Sequence, residues 1–163
     1  MKAAEIKKVI VIGCPGSGKS TFSRALAERT GLPLVHLDML YWNADGTTVE
    51  KEVFLERLRD AMSADEWIID GNYGGSMEMR LKECDTVFFL DYPVDVCLEG
   101  IRSRRGKART DMPWIEEKDD EEFIAFIRDF NTIERPKIAE RLRHCGKRVI
   151  TFTNREEADE YMR

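Results

Sequence analysis

Eight consecutive residues, Gly13-Cys14-Pro15-Gly16-Ser17-Gly18-Lys19-Ser20, satisfy the pattern G-x-x-x-x-G-K-[ST] in full. Glycines without a Cβ let the backbone N–H groups turn inward around an anion. A helix beginning near Lys19 adds its positive N-terminal end to the same spot. The pattern places Lys19 at the β- and γ-phosphates of a nucleoside triphosphate and the Ser20 hydroxyl on Mg²⁺. Gly13, Pro15, Gly16, Ser17, Gly18, Lys19, Ser20 and Thr21 are therefore the candidate cradle, with ATP and Mg²⁺ the implied cofactors.

A cradle of this kind works with a carboxylate on a neighbouring strand that holds the metal, usually through water. Two apolar runs end in aspartate, WIID at Asp70 and FFLD at Asp91. Asp70 is the first choice and Asp91 the second. Asp91, standing before Tyr92-Pro93, equally suits a turn or a helix cap. Asp38, after VHL, is positioned for the acceptor side, to hold or deprotonate an acceptor hydroxyl. His36 alternates with it along the expected strand and is assigned to packing on the other face. Tyr41 and Trp42 fall in an otherwise polar loop and are candidates to line an acceptor pocket, with packing beneath that loop as the alternative. Asn72 and Arg80 complete the candidate acceptor side, Arg80 as a ligand for an acceptor phosphate.

Between Arg102 and Arg109 the chain carries Arg102, Arg104, Arg105, Lys107 and Arg109 with no acid among them. Phosphoryl transfer spreads negative charge over the transferred group, and arginines that close over it stabilise the transition state. Arg104, Arg105 and Arg109 are the candidates for that role, on a lid over about residues 105–118. The bland alternative is a solvated basic loop facing the acidic run Glu116 to Glu122.

These residues need elements to position them. Residues 8–12 (KVIVI) read as a strand buried on both faces. A helix is expected over 19–30 with Gly31 as its stop, then a strand over 33–38 and an amphipathic helix over 50–63. Strand 67–70, a short helix around 76–83 and strand 86–91 follow. Helices over 94–105 and 119–144, the latter with Pro136 inside it, precede strand 147–152 and a closing helix over 156–162. Alternating strands and helices imply a parallel sheet covered on both faces, with ligands at the carboxyl ends of its strands. At 163 residues, one domain is expected.

Composition excludes several other classes. With 42% hydrophobic and 35% charged residues the chain is neither disordered nor, lacking any apolar run near the roughly 18 residues required, a membrane-spanning protein. The N-terminal MKAAEIKK leads straight into a strand, so a cytoplasmic location is expected. Four scattered cysteines, Cys14, Cys84, Cys97 and Cys145, suggest neither a zinc site nor a disulfide framework. A net charge of −5 disfavours nucleic acid as a partner. The segment Thr153-Asn154-Arg155-Glu156 lacks the Asn-Lys-x-Asp of guanine-specific switches.

The motifs together carry a resemblance. GCPGSGKST resembles the phosphate loop of adenylate kinases, and IIDGNY stands where those enzymes carry Asp-Gly after their third strand. VHLD, IIDGNYGGSMEMRL, TVFFLDYPVDVCL and the arginine run with TDMP further resemble the adenylate-kinase-related topology modulation proteins. The resemblance implies a three-layer α/β/α P-loop fold with a five-stranded parallel sheet in the order 2-3-1-4-5 and a short lid. It also implies roles for Lys19 and Ser20 at the triphosphate and Mg²⁺, for Asp70 as the strand-three carboxylate, and for Arg104 at the lid base. The expected activity is phosphoryl transfer from ATP to a nucleotide or small hydroxyl acceptor, the alternative being a nucleotide-binding regulator associated with DNA topology. Two departures stand out. Asp-Gly continues into Asn72-Tyr73-Gly74 instead of Phe-Pro-Arg, and Gly100 stands where related kinases place an arginine against the donor base.

Overall fold

The computed structural model describes residues 6–104 and 121–163, with Arg104 described in its backbone only. Five parallel strands form one sheet: β1 (Lys8–Gly13), β2 (Leu34–His36), β3 (Trp67–Asp70), β4 (Thr86–Leu90) and β5 (Arg148–Phe152), in the order β2-β3-β1-β4-β5. The helices are α1 (Lys19–Thr30), α2 (Leu37–Tyr41), α3 (Lys51–Met62), α4 (Met77–Glu83), α5 (Val94–Arg104), α6 (Glu121–His144) and α7 (Arg155–Met162). β1 takes the centre because Val9 to Ile12 are apolar on both faces and fully buried there. This is the expected three-layer fold and strand order. The lid expected over 105–118 lies outside the described residues, as do Arg105 and Arg109.

Register aligns the functional ends. Val11 sits opposite Asp70, Gly13 opposite Leu90, His36 opposite Asp70 and Leu90 opposite Phe152. The carboxyl ends of all five strands therefore meet along one edge. Phe22 of α1 packs against Phe88 and Phe152, with ring centroids 5.1 and 5.6 Å away, so the helix behind the phosphate loop is seated on β4 and β5.

One expected strand is shorter than its apolar pattern. β2 stops at His36, and Leu37–Tyr41 turns into α2. The reason is the partner: β3 ends at Asp70, opposite His36, so beyond that point the backbone has no ladder to join. Asp38 and Tyr41 consequently stand on a helical turn, not on a strand end and loop. α6 runs without interruption through Pro136.

Arg80 also departs from expectation. Its side chain is fully buried, and its guanidinium donates to the carbonyls of Gly71 (3.0 Å), Asn72 and Tyr73 (3.1 Å) and to Ser76 Oγ (3.3 Å). It plugs the turn after β3, sharing the Tyr73 carbonyl with Ser76 of the short 3-10 turn Gly74–Ser76, and its donors are engaged there instead of facing an acceptor phosphate. Burial pulls its pKa down to about 9, which leaves it charged at neutral pH. Arg80→Met, keeping the stem and removing the donors, should lower the free energy of unfolding by about 3 kcal/mol in denaturant titration, since buried acceptors lose their partners. An unfolding midpoint equal to that of the unaltered protein contradicts the assignment.

Candidate active site

The carbonyls of the loop Gly13–Ser20 are held by side chains after β3 and β5 and by groups of the loop itself. Asn72 clasps Gly13 at both ends, accepting from its N–H (3.1 Å) and donating to its C=O (2.6 Å). Lys19 Nζ donates to the carbonyls of Gly13 (3.0 Å) and Cys14 (3.4 Å), and the Ser17 N–H donates to Cys14 O (3.0 Å). Arg155, the first residue of α7, donates to the carbonyls of Gly16 (3.2 Å) and Ser17 (3.1 Å) while lying over the Tyr92 ring, 5.7 Å from its centroid. With these carbonyls held, the peptide planes are fixed and their N–H groups become a rigid donor set.

Helix α5 presses on the back of the loop. A Cβ on Gly16, whose φ is +86°, would stand 2.0 Å from the Cys97 carbonyl, and a Cβ on Gly100 would stand 2.0 Å from the Gly16 carbonyl. Each position therefore requires glycine: the two backbones touch. No side chain fits at Gly100. Cys14 and Cys97 are buried in the same contact. Their mutual hydrogen bond, together with burial, pushes the Cys14 thiol up, so it stays protonated behind the loop.

The front of the loop suits an anion. α1 begins on Gly18 with no side-chain cap and no acid in its first turn, so its leading N–H groups present the helix's positive end. Ser17 Oγ, fully buried beside Gly13, has no hydrogen-bond partner among the described residues. Both observations fit triphosphate oxygens at this spot. Ser20 opens α1 at the expected metal position, where its Oγ accepts from Arg24 Nη1 at 2.8 Å; the exposed arginine must swing aside before a cation reaches that oxygen.

The two strand-end acids are placed differently. Asp70 is buried at the end of β3 beside β1, and its Oδ2 lies 2.7 Å from His36 Nδ1. His36 is thus not on the far face: the parallel register sets it directly opposite Asp70, so the two share a side. Asp91 is engaged in a bidentate pair with Arg135 of α6, Nε and Nη2 each 2.7 Å from a carboxylate oxygen. That pair anchors α6 to the end of β4 and corrects the expectation of Asp91 as a reserve metal ligand.

Across the loop from α1 lies the expected acceptor side. Asp38 accepts from the Tyr73 phenol, and Tyr73 packs against Tyr41 and Phe54 with centroids 5.0 and 5.2 Å away. Trp42 stands edge-on to Tyr41 at 5.7 Å. Asp38, Tyr41 and Trp42 are therefore brought together. Asn72 is not with them, since its amide is occupied by Gly13, and Arg80 is buried behind. Arg104 closes α5, its side chain outside the described residues along with Arg105 and Arg109.

Sequence reasoning missed Arg155, Tyr73 and the clasping role of Asn72. Tyr73 and Asn72 carried a visible signal, as the residues directly after a strand-end Asp-Gly. Arg155 carried a weaker one: it follows β5 at the same sheet edge as the rest.

Comparison with known proteins agrees with this geometry. No protein family's sequence profile matches the chain. It is 34% identical over 103 residues to the uncharacterized protein YqaC of Bacillus subtilis, covering 60% of this chain and 56% of that one. It is 31% identical over 109 residues to a shikimate kinase of Rhodococcus erythropolis (58% and 63% covered) and 31% identical over 126 residues to an adenylate kinase of Kosmotoga olearia (60% and 59% covered). The chain thus spans 56 to 63% of the length of these relatives. Its fold matches the crystal structure of shikimate kinase from Bacteroides thetaiotaomicron with a TM-score of 0.62 at 20% identity, covering 96% and 94% of the two chains. A shikimate kinase from Acinetobacter baumannii in complex with shikimate matches with the same TM-score and identity, covering 99% and 95%. The topology modulation proteins are not among these relatives.

The glycine contact yields a direct check. Gly100→Ala should destabilise the fold by about 1–3 kcal/mol in denaturant titration, because neither backbone has a flexible end that can yield. Wild-type stability in this variant contradicts the close approach of α5 to the loop.

Proposed function

We propose that this chain is a phosphotransferase that moves the γ-phosphoryl group of ATP·Mg²⁺ to a hydroxyl of a nucleotide or other small acceptor, in the manner of nucleoside-monophosphate and shikimate kinases. One observation carries the reading: a loop whose carbonyls are held by the side chains of Asn72, Lys19 and Arg155 runs into an α1 N-terminus with no side-chain cap, and a carboxylate, Asp38, stands just past the end of β2 on the same sheet edge. The likeness to shikimate and adenylate kinases supports it.

In this reading the N–H groups of residues 16–21 hold the β- and γ-phosphate oxygens, and Lys19 leans from the loop carbonyls toward the γ-phosphoryl group. Ser20 and Asp70 would hold Mg²⁺, with His36 fixing the Asp70 carboxylate's orientation. A bound Mg²⁺ would supply positive charge against the phosphates. Asp38 takes the proton of the acceptor hydroxyl as its oxygen bonds to phosphorus and the bond to the ADP oxygen breaks. Arg104, at the end of α5, and Arg105 and Arg109 beyond it would stabilise the charge on the transferred group and help exclude water, which would otherwise compete as acceptor. Tyr41 and Trp42 line the acceptor pocket. Catalysis here is positioning and charge neutralisation, as the chemistry of phosphoryl transfer requires.

Terminally labelled ATP with shikimate, AMP, CMP and a panel of small hydroxyl metabolites tests the reading. Acceptor-dependent transfer with one of them supports it, while ATP binding without transfer to any of them would identify a nucleotide-dependent regulator. Lys19→Ala should abolish transfer, and Asp38→Asn should lower kcat by about 10²–10⁴ with the KM for ATP little changed. Full activity in Lys19→Ala overturns the assignment of the loop.

A further inference from the structure

Tyr73 is the non-glycine residue with positive φ among the described residues, at φ 36° and ψ 71°. A bulky side chain adopts that conformation rarely, and where it does, other interactions impose it. Here the backbone is pinned through its carbonyl, which accepts from the Ser76 N–H (2.9 Å), Ser76 Oγ (3.0 Å) and Arg80 Nη2 (3.1 Å). The result is that the ring is driven between Tyr41 and Phe54 and the phenol meets Asp38 Oδ1.

A carboxylate only accepts, so the direction is fixed: Tyr73 donates its one proton to Asp38. Burial and the charge of Asp38 push the phenol far above its ordinary value, so it keeps that proton at every working pH.

We infer that Tyr73 is a positioning residue that orients the Asp38 carboxylate and keeps it ionised for the acceptor hydroxyl. This rests on the reading of Asp38 as the acceptor's base. The phenol's hydrogen bond occupies one of the roughly four lone-pair positions a carboxylate offers, and it stabilises the charged form. The departure from Phe-Pro-Arg after the Asp-Gly step thereby acquires a purpose: Asn72 is used by the phosphate loop and Tyr73 by Asp38, so adjacent residues set the donor and acceptor halves of the site. Among the described residues, other titratable groups around α2 are Tyr41 on the helix itself, Arg57 of α3, whose guanidinium donates to Leu40 O at 2.9 Å, and the His36–Asp70 pair at the ends of β2 and β3.

The test needs no acceptor. In protein labelled with ¹³C at aspartate carboxyls, the Asp38 signal is assigned by its loss in Asp38→Asn and then titrated by NMR. Tyr73→Phe should raise the Asp38 midpoint by about one pH unit, the expected effect of losing a hydrogen bond to the charged form. If Tyr73→Phe fails to fold, the Tyr73 hydroxyl proton of the unaltered protein carries the test: it should give a downfield, slowly exchanging resonance that moves as Asp38 titrates. A Tyr73→Phe midpoint equal to that of the wild type, or a hydroxyl resonance indifferent to the Asp38 titration, overturns the positioning role, whatever the enzyme's activity. Undiminished transfer by Asp38→Asn instead overturns the base assignment, and with it the positioning role, even if the midpoint moves.

Discussion

The site depends on how the carbonyls of one short loop are satisfied. A peptide group whose C=O is bonded outward has its N–H turned the other way, and here the outward bonds come from three separate parts of the chain. Asn72, after β3, holds Gly13; Arg155, at the start of α7, holds Gly16 and Ser17; Lys19 reaches back over its own loop. The donors aimed at an anion are therefore fixed before it arrives, and binding pays little to order them. The backbone contact between Gly16 and Gly100 fixes the loop from behind in the same sense.

The four residues Asp70 to Tyr73 join this loop to the rest of the site. Asp70 pairs with His36, Gly71 offers its carbonyl to Arg80, Asn72 clasps Gly13, and Tyr73 reaches Asp38. Consecutive side chains point to different neighbours because the strand has ended and the chain is turning, with Tyr73 in the left-handed region. Arg80 makes the turn affordable by taking up its carbonyls. A change in this segment is thus felt at the phosphate loop and at the acceptor side together, which is how a small domain can keep both halves of a reaction in register.

Much of this was legible in the residues. The phosphate loop announces itself because its chemistry needs glycines and a lysine at fixed spacing; the parallel sheet followed from alternating apolar runs, and its strand order from the resemblance. What escaped was what depends on pairing across the sheet. His36 looked like a packing residue until the register set it opposite Asp70, and VHLD read as strand until its partner ended. Arg80 and Asn72 looked like ligands because both are polar residues near a site; only burial and hydrogen-bond partners show that they serve the backbone. Asp91 was ambiguous between a turn and a metal, and its bidentate contact with Arg135, 44 residues away in sequence, was not visible from either residue alone. Arg155 was invisible to motif reasoning because its partners lie 138 and 139 residues earlier.

The central claim is that the N–H groups at the head of α1 form a preorganised seat for the phosphates of ATP. Amide hydrogen exchange across residues 13–21, followed with and without ATP and Mg²⁺, measures those groups directly. The account predicts that exchange at residues 16–21 slows at least tenfold with ATP·Mg²⁺, and that adenosine, which lacks phosphates, leaves it unchanged. Exchange that is indifferent to ATP·Mg²⁺, or slowed equally by adenosine, would contradict it.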